Sequence, residues 1–306
     1  MGDRGRVSTG AFGLGYGAGP MRALPWLIAV ALSAACFLFQ NRTGPTWPLE
    51  GTVATARGPV GFKLLRSEEI GTGLQLLLRD PVPRGVSAKV RYRRFRSADP
   101  WSELPLTPGL FRVARRGAVE EVRGLGATLP SLRERAGKYE YLVLIDDGQG
   151  PRSITGERPV LARYKARVPG PVLFVHILVI FASMTLALRC ALEALRGGEV
   201  RGLLWATLGS LLLGAFARGP LVQRYAFGVW WSGVPFGWDW TDNKVLVELL
   251  AWLVAAGLAL AGRQPRRLRA AVLAAALVTL AVYFIPHSVF GSEYDYTRGA
   301  GRGTAG

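Results

Sequence analysis

Residues 245–285 read VLVELLAWLVAAGLALA-GRQPRRLR-AAVLAAALVTLAVYFI: two apolar runs of 17 and 16 residues around a turn with four arginines and no acid. At 1.5 Å per residue each run rises about 25 Å as a helix, close to the ~30 Å hydrocarbon core of a bilayer. Two such runs joined by a short basic turn are the pattern of a transmembrane hairpin whose turn lies in the cytoplasm, because basic short loops are retained there.

Three further runs extend this pattern towards the N-terminus. Val172–Leu188 follows Pro169-Gly170-Pro171 and ends at Arg189 and Glu193. Leu203–Ala217 is closed by Arg218-Gly219-Pro220. Leu24–Phe39 carries no charge, and Arg22 precedes it. No small-x-small cleavage site closes this first run, so it reads as an uncleaved anchor rather than a signal peptide. The expected helices cover about 24–40, 172–190, 203–218, 244–261 and 270–285. Residues 1–20, Gly-rich and without periodicity, read as a disordered cytoplasmic tail.

Residues 41–168 differ in character. They hold 23 Lys or Arg and 13 Asp or Glu, with no apolar run long enough to span. Short alternating pieces stand between turn residues: Val60–Leu65, Leu74–Leu78, Val86–Phe95, Lys138–Ile145 and Val160–Ala166. Such spacing predicts an antiparallel β-sandwich of immunoglobulin-like size, with a short helical turn over Leu129–Ala136. The fold expected is therefore an integral membrane bundle of five transmembrane α-helices with an inserted extracytoplasmic β-sandwich-like domain. Counting back from the arginine turn puts 41–168 outside, together with the loop 219–243 and the C-terminal tail. A net charge of +10 on the domain does not oppose this, since long domains translocate largely regardless of charge. A bacterial inner membrane with the domain on its periplasmic side fits the pattern.

The whole chain of 306 residues carries +17. Nucleic acid is the first partner such a charge suggests, but there is no zinc-finger spacing or RNP-like aromatic motif, and the arginines lie in the outer segment and the short loops. The partners expected are the lipid bilayer and a membrane or extracytoplasmic protein. Cys36 and Cys190 fall towards opposite membrane faces, which argues against a disulfide between them. No CxxCH supports a c-type haem. GxSxG, Walker A, Rossmann and HExxH patterns are also missing.

Chemistry concentrates in the outer loop and its neighbours. In GPLVQRYAFGVWWSGVPFGWDWTDNK (219–244), Trp238, Asp239, Trp240, Asp242, Asn243 and Lys244 place polar groups among tryptophans. An aromatic belt around an interfacial turn accounts for them, with Asp242 as helix cap. A polar site with aromatic walls for a cation, sugar or headgroup is the functional reading. Glu248 is an intramembrane carboxyl one turn from Lys244, an i,i+4 pair in the less favourable order. His176 and His287 share the outer depth. They are candidates for axial ligation of a b-type haem, or for a transition metal with Asp239, Asp242 and Glu293; hydrogen bonding to the outer loop is the structural alternative. Two functions follow from these readings. One is a non-catalytic membrane accessory, scaffold or assembly subunit with a partner-binding outer domain. The other is a membrane redox, metal-binding or transport protein using the outer-face His/Asp cluster.

Overall fold

The structure, a computed structural model, describes residues 20–115, 118–286, 291, 293–298 and 300–302. The expected N-terminal tail therefore lies outside the described residues, as does His287.

Five helical segments are long and apolar enough to cross a membrane. They are α1 (Pro20–Thr43), α2 (Gly170–Leu195), a composite third span, α5 (Trp240–Leu260) and α6 (Pro265–Phe284). The composite span runs through α3 (Arg201–Leu211), a π-helical stretch (Leu212–Arg218) and α4 (Gly219–Phe227). Small residues line the bundle core, Ala187 and Cys190 from α2, Ala255 and Ala256 from α5, and Ala275 and Ala276 from α6, with Trp252 buried among them. Helix α1 rests on α2 and α6 through Ala29, Cys36, Met184 and Val282. This is a multi-pass membrane protein. At the end remote from the β-rich region, Arg269 donates to the carbonyls of Gly197 and Gly198, so the α2–α3 turn and the arginine turn are tied together.

The third helix departs from its expected end at residue 218. Pro220 does not stop it. A proline inside a helix lacks an N–H and presses on the carbonyl four residues back. Here the turn before it is π-helical, which widens the backbone and absorbs the misfit. Pro220 then sits in the first turn of α4, where its missing N–H costs nothing. The connection between the third and fourth spans shrinks accordingly to residues 228–239.

Between α1 and α2 lie two sheets facing one core. The first has strand order β1 (Leu49–Thr55), β2 (Gly58–Leu64), β4 (Leu74–Arg79), β8 (Ala118–Leu129), β7 (Thr107–Arg115). The second runs β3 (Ser67–Glu69), β11 (Val160–Lys165), β9 (Lys138–Asp146), β5 (Ser87–Arg94), β6 (Ser102–Pro105), with β10 (Arg152–Ser153) beside β9. All neighbours are antiparallel except β3 and β11. Alternate residues supply the core: Val60, Phe62 and Leu64 from β2, Leu74, Leu76 and Leu78 from β4, and Tyr139, Tyr141, Val143 and Ile145 from β9. The helical turn expected over Leu129–Ala136 is not formed. Pro130 interrupts the backbone there, the segment runs irregularly, and Ala136 turns it with a φ of 63°.

After α6 the chain returns to this domain. A short hairpin, β12 (Glu293–Asp295) and β13 (Ala300–Arg302), docks against it. The Tyr294 N–H donates to the Ala136 carbonyl (3.1 Å), and the Arg94 guanidinium lies 4.5 Å over the Tyr296 ring. The C-terminal segment and the β domain thus share one end of the bundle.

Candidate functional site at the junction of bundle and domain

The connection 228–239 folds around two carboxylates. Asp239 caps α5, accepting the Thr241 N–H at 2.8 Å, so the cap is Asp239 and not Asp242 as the sequence suggests. Asp242 is turned inward instead. Its Oδ2 accepts the N–H groups of Ser232 (2.7 Å) and Gly233 (3.1 Å), the Ser232 hydroxyl (3.0 Å) and the Gln223 amide (3.1 Å). Asn243 accepts the Val234 N–H at 2.7 Å. Gly233 leaves room for this arrangement, since a Cβ there would lie 2.7 Å from both Asn243 Oδ1 and Asp242 Cβ. Asp242 and Asn243 therefore build the loop, while Trp238 and Trp240 stand exposed on its outer surface, as interfacial tryptophans do.

Behind the loop is a cavity of about 170 Å³ walled by α1, α2, the third span, α5, α6 and the domain strand β11. His176, Asp239, Asp242, Lys244 and Glu248 all line it. The structure thus brings together five of the residues singled out in the sequence. Glu293 is elsewhere, on the C-terminal hairpin, where Lys138 (2.7 Å) and Arg96 (2.6 Å) hold its carboxylate. Among the described residues no three His, Cys, Asp or Glu side chains are placed to hold a metal ion. The pairing of His176 with His287 lies outside the described residues.

Each polar wall group has a defined partner. His176 Nδ1 lies 3.1 Å from the Gly214 carbonyl, in the π-helical stretch and not in the outer loop where a partner was expected. A carbonyl only accepts, so Nδ1 carries the proton, and Nε2 is left as an acceptor in the neutral ring. Glu248, about 12 Å into its helix by residue count, accepts the Thr279 hydroxyl on Oε1 (2.9 Å). Thr279 in turn accepts the Trp252 indole N–H (3.0 Å). Lys244 lies one turn before Glu248 on α5. Its Nζ donates to the Ile285 carbonyl (2.6 Å) at the end of α6, where the last carbonyls lack helical donors and favour a cation. Gln40 of α1 donates to the Tyr283 carbonyl nearby (3.2 Å).

Arg163 forms the roof. It points outward from β11, yet it is buried because that face of the sandwich rests on the bundle. Its guanidinium lies 5.6 Å from the Phe227 ring. Burial pushes its pKa below the usual arginine value, and the negative charges of Asp239 and Glu293 oppose that shift. The neighbouring Ala166 N–H donates to the Ala226 carbonyl (2.9 Å), joining the last strand to the end of the third span.

Arg163, Gln40, Gln223 and Tyr283 are wall residues that sequence reasoning missed. The single polar residue closing the first apolar run was a usable signal for Gln40. Gln223 was hidden because the helix was expected to end before it.

No known protein family, curated protein or solved structure matches the chain. The geometry of this junction is therefore what bears on function.

Proposed function

We propose that this protein is a non-catalytic component of the bacterial inner membrane that holds a small ligand between its helices and its periplasmic β domain. One observation carries the reading: the junction cavity is lined by polar side chains from all five spans and roofed by Arg163 of the domain. Polar groups that only packed helices together would meet each other across a closed interface. These surround open space, as the walls of a binding pocket do. Arg263, Arg266, Arg267 and Arg269 at the far end support a cytoplasmic assignment of that end, and hence a periplasmic domain. A net +10 domain surface suits an acidic protein partner, in keeping with an accessory or assembly role.

The test is recovery of a ligand. Protein purified in mild detergent is expected to carry one small molecule per chain, reduced at least several-fold in Lys244→Met and Glu248→Gln. Absence of any bound molecule from wild-type protein would count against the reading. The redox or metal-binding alternative draws on His176 at the same cavity. A Soret band or stoichiometric metal in the purified protein would favour it.

A further inference from the structure

The junction cavity does not stand alone. A second cavity of about 380 Å³ adjoins it and shares Gln40, Arg163, His176, Ile180, Val222 and Tyr283 with it. Its remaining walls are of two kinds. Phe37 of α1 and Leu173, Ile177, Phe181 and Met184 of α2 line its membrane side, while Thr46, Ser67, Glu69 and Lys165 line its domain side. Leu173 and Met184 are eleven residues apart, about 16 Å of membrane depth. Phe37, Leu173 and Ile177 are exposed on the bundle surface. Below them α1 and α2 close together, with the Thr185 hydroxyl donating to Ser33 at 3.1 Å. The space is thus a crevice with an apolar wall at hydrocarbon depth, a closed floor, and a polar chamber at its inner end. Within a bilayer a crevice of this kind is filled by an acyl or isoprenoid chain, because water gains nothing against such walls.

The chamber specifies the head that belongs to that chain. Its charges are already answered within the walls, the roof Arg163 facing the Asp239 charge. Asp242 is saturated by donors, Asp239 caps α5, Lys244 sits on the Ile285 carbonyl, and Glu248 accepts from Thr279. A head with a net charge would have to displace one of these bonds, whereas a neutral head would not. The walls also offer both hydrogen-bonding senses. The donor is the Lys244 ammonium, since the Gln40 and Gln223 amides already donate within the walls; acceptors are His176 Nε2 and Glu248 Oε2. Flat aromatic faces stand beside them: Trp231, stacked on Phe216 at 5.6 Å, together with Phe227 and Tyr283.

A planar head with two oxygens that accept as carbonyls or donate as hydroxyls, attached to a long apolar tail, is the chemistry of a membrane quinone. We infer that the joined cavities bind a membrane quinone, its ring between His176, Lys244 and Glu248 and its tail leaving between α1 and α2. This rests on the reading of the junction as a ligand site and names the ligand's class.

The full chain, purified in mild detergent from membranes containing quinone, tests it by extraction and redox difference spectroscopy. Near-stoichiometric quinone is expected in the wild type. At least a tenfold loss is expected in His176→Leu, and also in Ile177→Trp, which fills the crevice from an exposed position and leaves the bundle core untouched. A short-chain quinone added to delipidated protein should quench tryptophan fluorescence with saturation, and Trp231→Phe should remove most of the quenched component. A stoichiometric phospholipid that displaces quinone and responds to the same variants would overturn the quinone assignment while leaving the ligand site standing. Neither bound lipid nor saturable quenching would overturn both.

Discussion

Lys138 and Glu293 are 155 residues apart in the chain and 2.7 Å apart in space, Nζ to Oε2, with both side chains almost closed to solvent. This pair ties the segment after the last helix to a central strand of the sandwich. Between them the chain passes through four membrane spans, so the contact fixes the domain over the end of the bundle.

Removing one partner of a buried ion pair leaves the other charge stranded. Glu293→Gln strands Lys138 and weakens the hold on Arg96. The expected loss is about 3 kcal/mol, the scale of a broken buried pair. Lys138→Met combined with Glu293→Gln should recover much of it, because no stranded ammonium is then left. Thermal melting of the four proteins in one detergent gives the cycle. A double variant as unstable as the sum of the singles would show that the two residues act independently.

The pH dependence of that pair has a definite sign. Burial, with the nearby Arg163 charge, lowers the Lys138 pKa to about 8 against the attraction of Glu293. In the unfolded chain it returns to the ordinary lysine value near 10.5. Between these two values the unfolded state binds the extra proton, so stability rises with pH across that window. Wild-type protein should therefore gain melting temperature relative to Lys138→Met from pH 8 to pH 10. The comparison with the variant subtracts the other titrating groups. A gap that falls with pH would mean that the ion pair outweighs burial.

Much of the architecture was legible because hydrophobic patterning is local. Five apolar runs and the arginine turn at 263–269 require only that a bilayer supply the solvent. Strands β4 and β9 announce themselves through inward Leu and Tyr or Val at alternate positions. The β7–β8 hairpin did not, because Glu120, Glu121 and Arg123 mask its alternation and glycines on the face away from the core break it. Those glycines answer to close neighbours: a Cβ at Gly124 would strike the Leu78 carbonyl, and one at Gly126 the Phe111 ring. The site was legible in part. Asp239, Asp242, Lys244 and Glu248 follow one another along a single helix start, so sequence proximity brought them together. Arg163 reaches the same cavity only through the docking of sandwich on bundle, a long-range relation that no local pattern records.

Asp242 makes a stability prediction distinct from any binding role. Its carboxylate is the common acceptor for two backbone N–H groups, a hydroxyl and an amide. Asp242→Ala orphans the Ser232 and Gly233 N–H groups in a buried turn, at about 1–3 kcal/mol each. Gly233→Ala should injure the same turn by crowding Asn243, at about 1–3 kcal/mol as an overpacked site. Trypsin cleavage after Arg224 should quicken in both variants relative to wild type, and melting temperatures should fall. Unchanged cleavage and melting in Asp242→Ala would mean that the loop is held by its tryptophans and not by the carboxylate.

Membrane orientation is predicted from charge alone, and the C-terminal hairpin adds an independent constraint on which parts share a side. The turn before α6 carries Arg263, Arg266, Arg267 and Arg269, and short loops of that kind stay in the cytoplasm. Five spans then place the end of the chain on the opposite side. The hairpin β12–β13 reaches the domain through Glu293 and Tyr294, so the end of the chain and the domain must share a side, whichever side it is. A fusion of a reporter active only outside the cytoplasm, placed after Gly148, should be active; the same reporter after Gln264 should be silent. A truncation ending at Gly291 should leave both results unchanged, because orientation is set by the arginines and not by the hairpin. The same side reported from Gly148 and Gln264 would require an even number of spans between them, in place of the three found there: α2, the composite third span and α5.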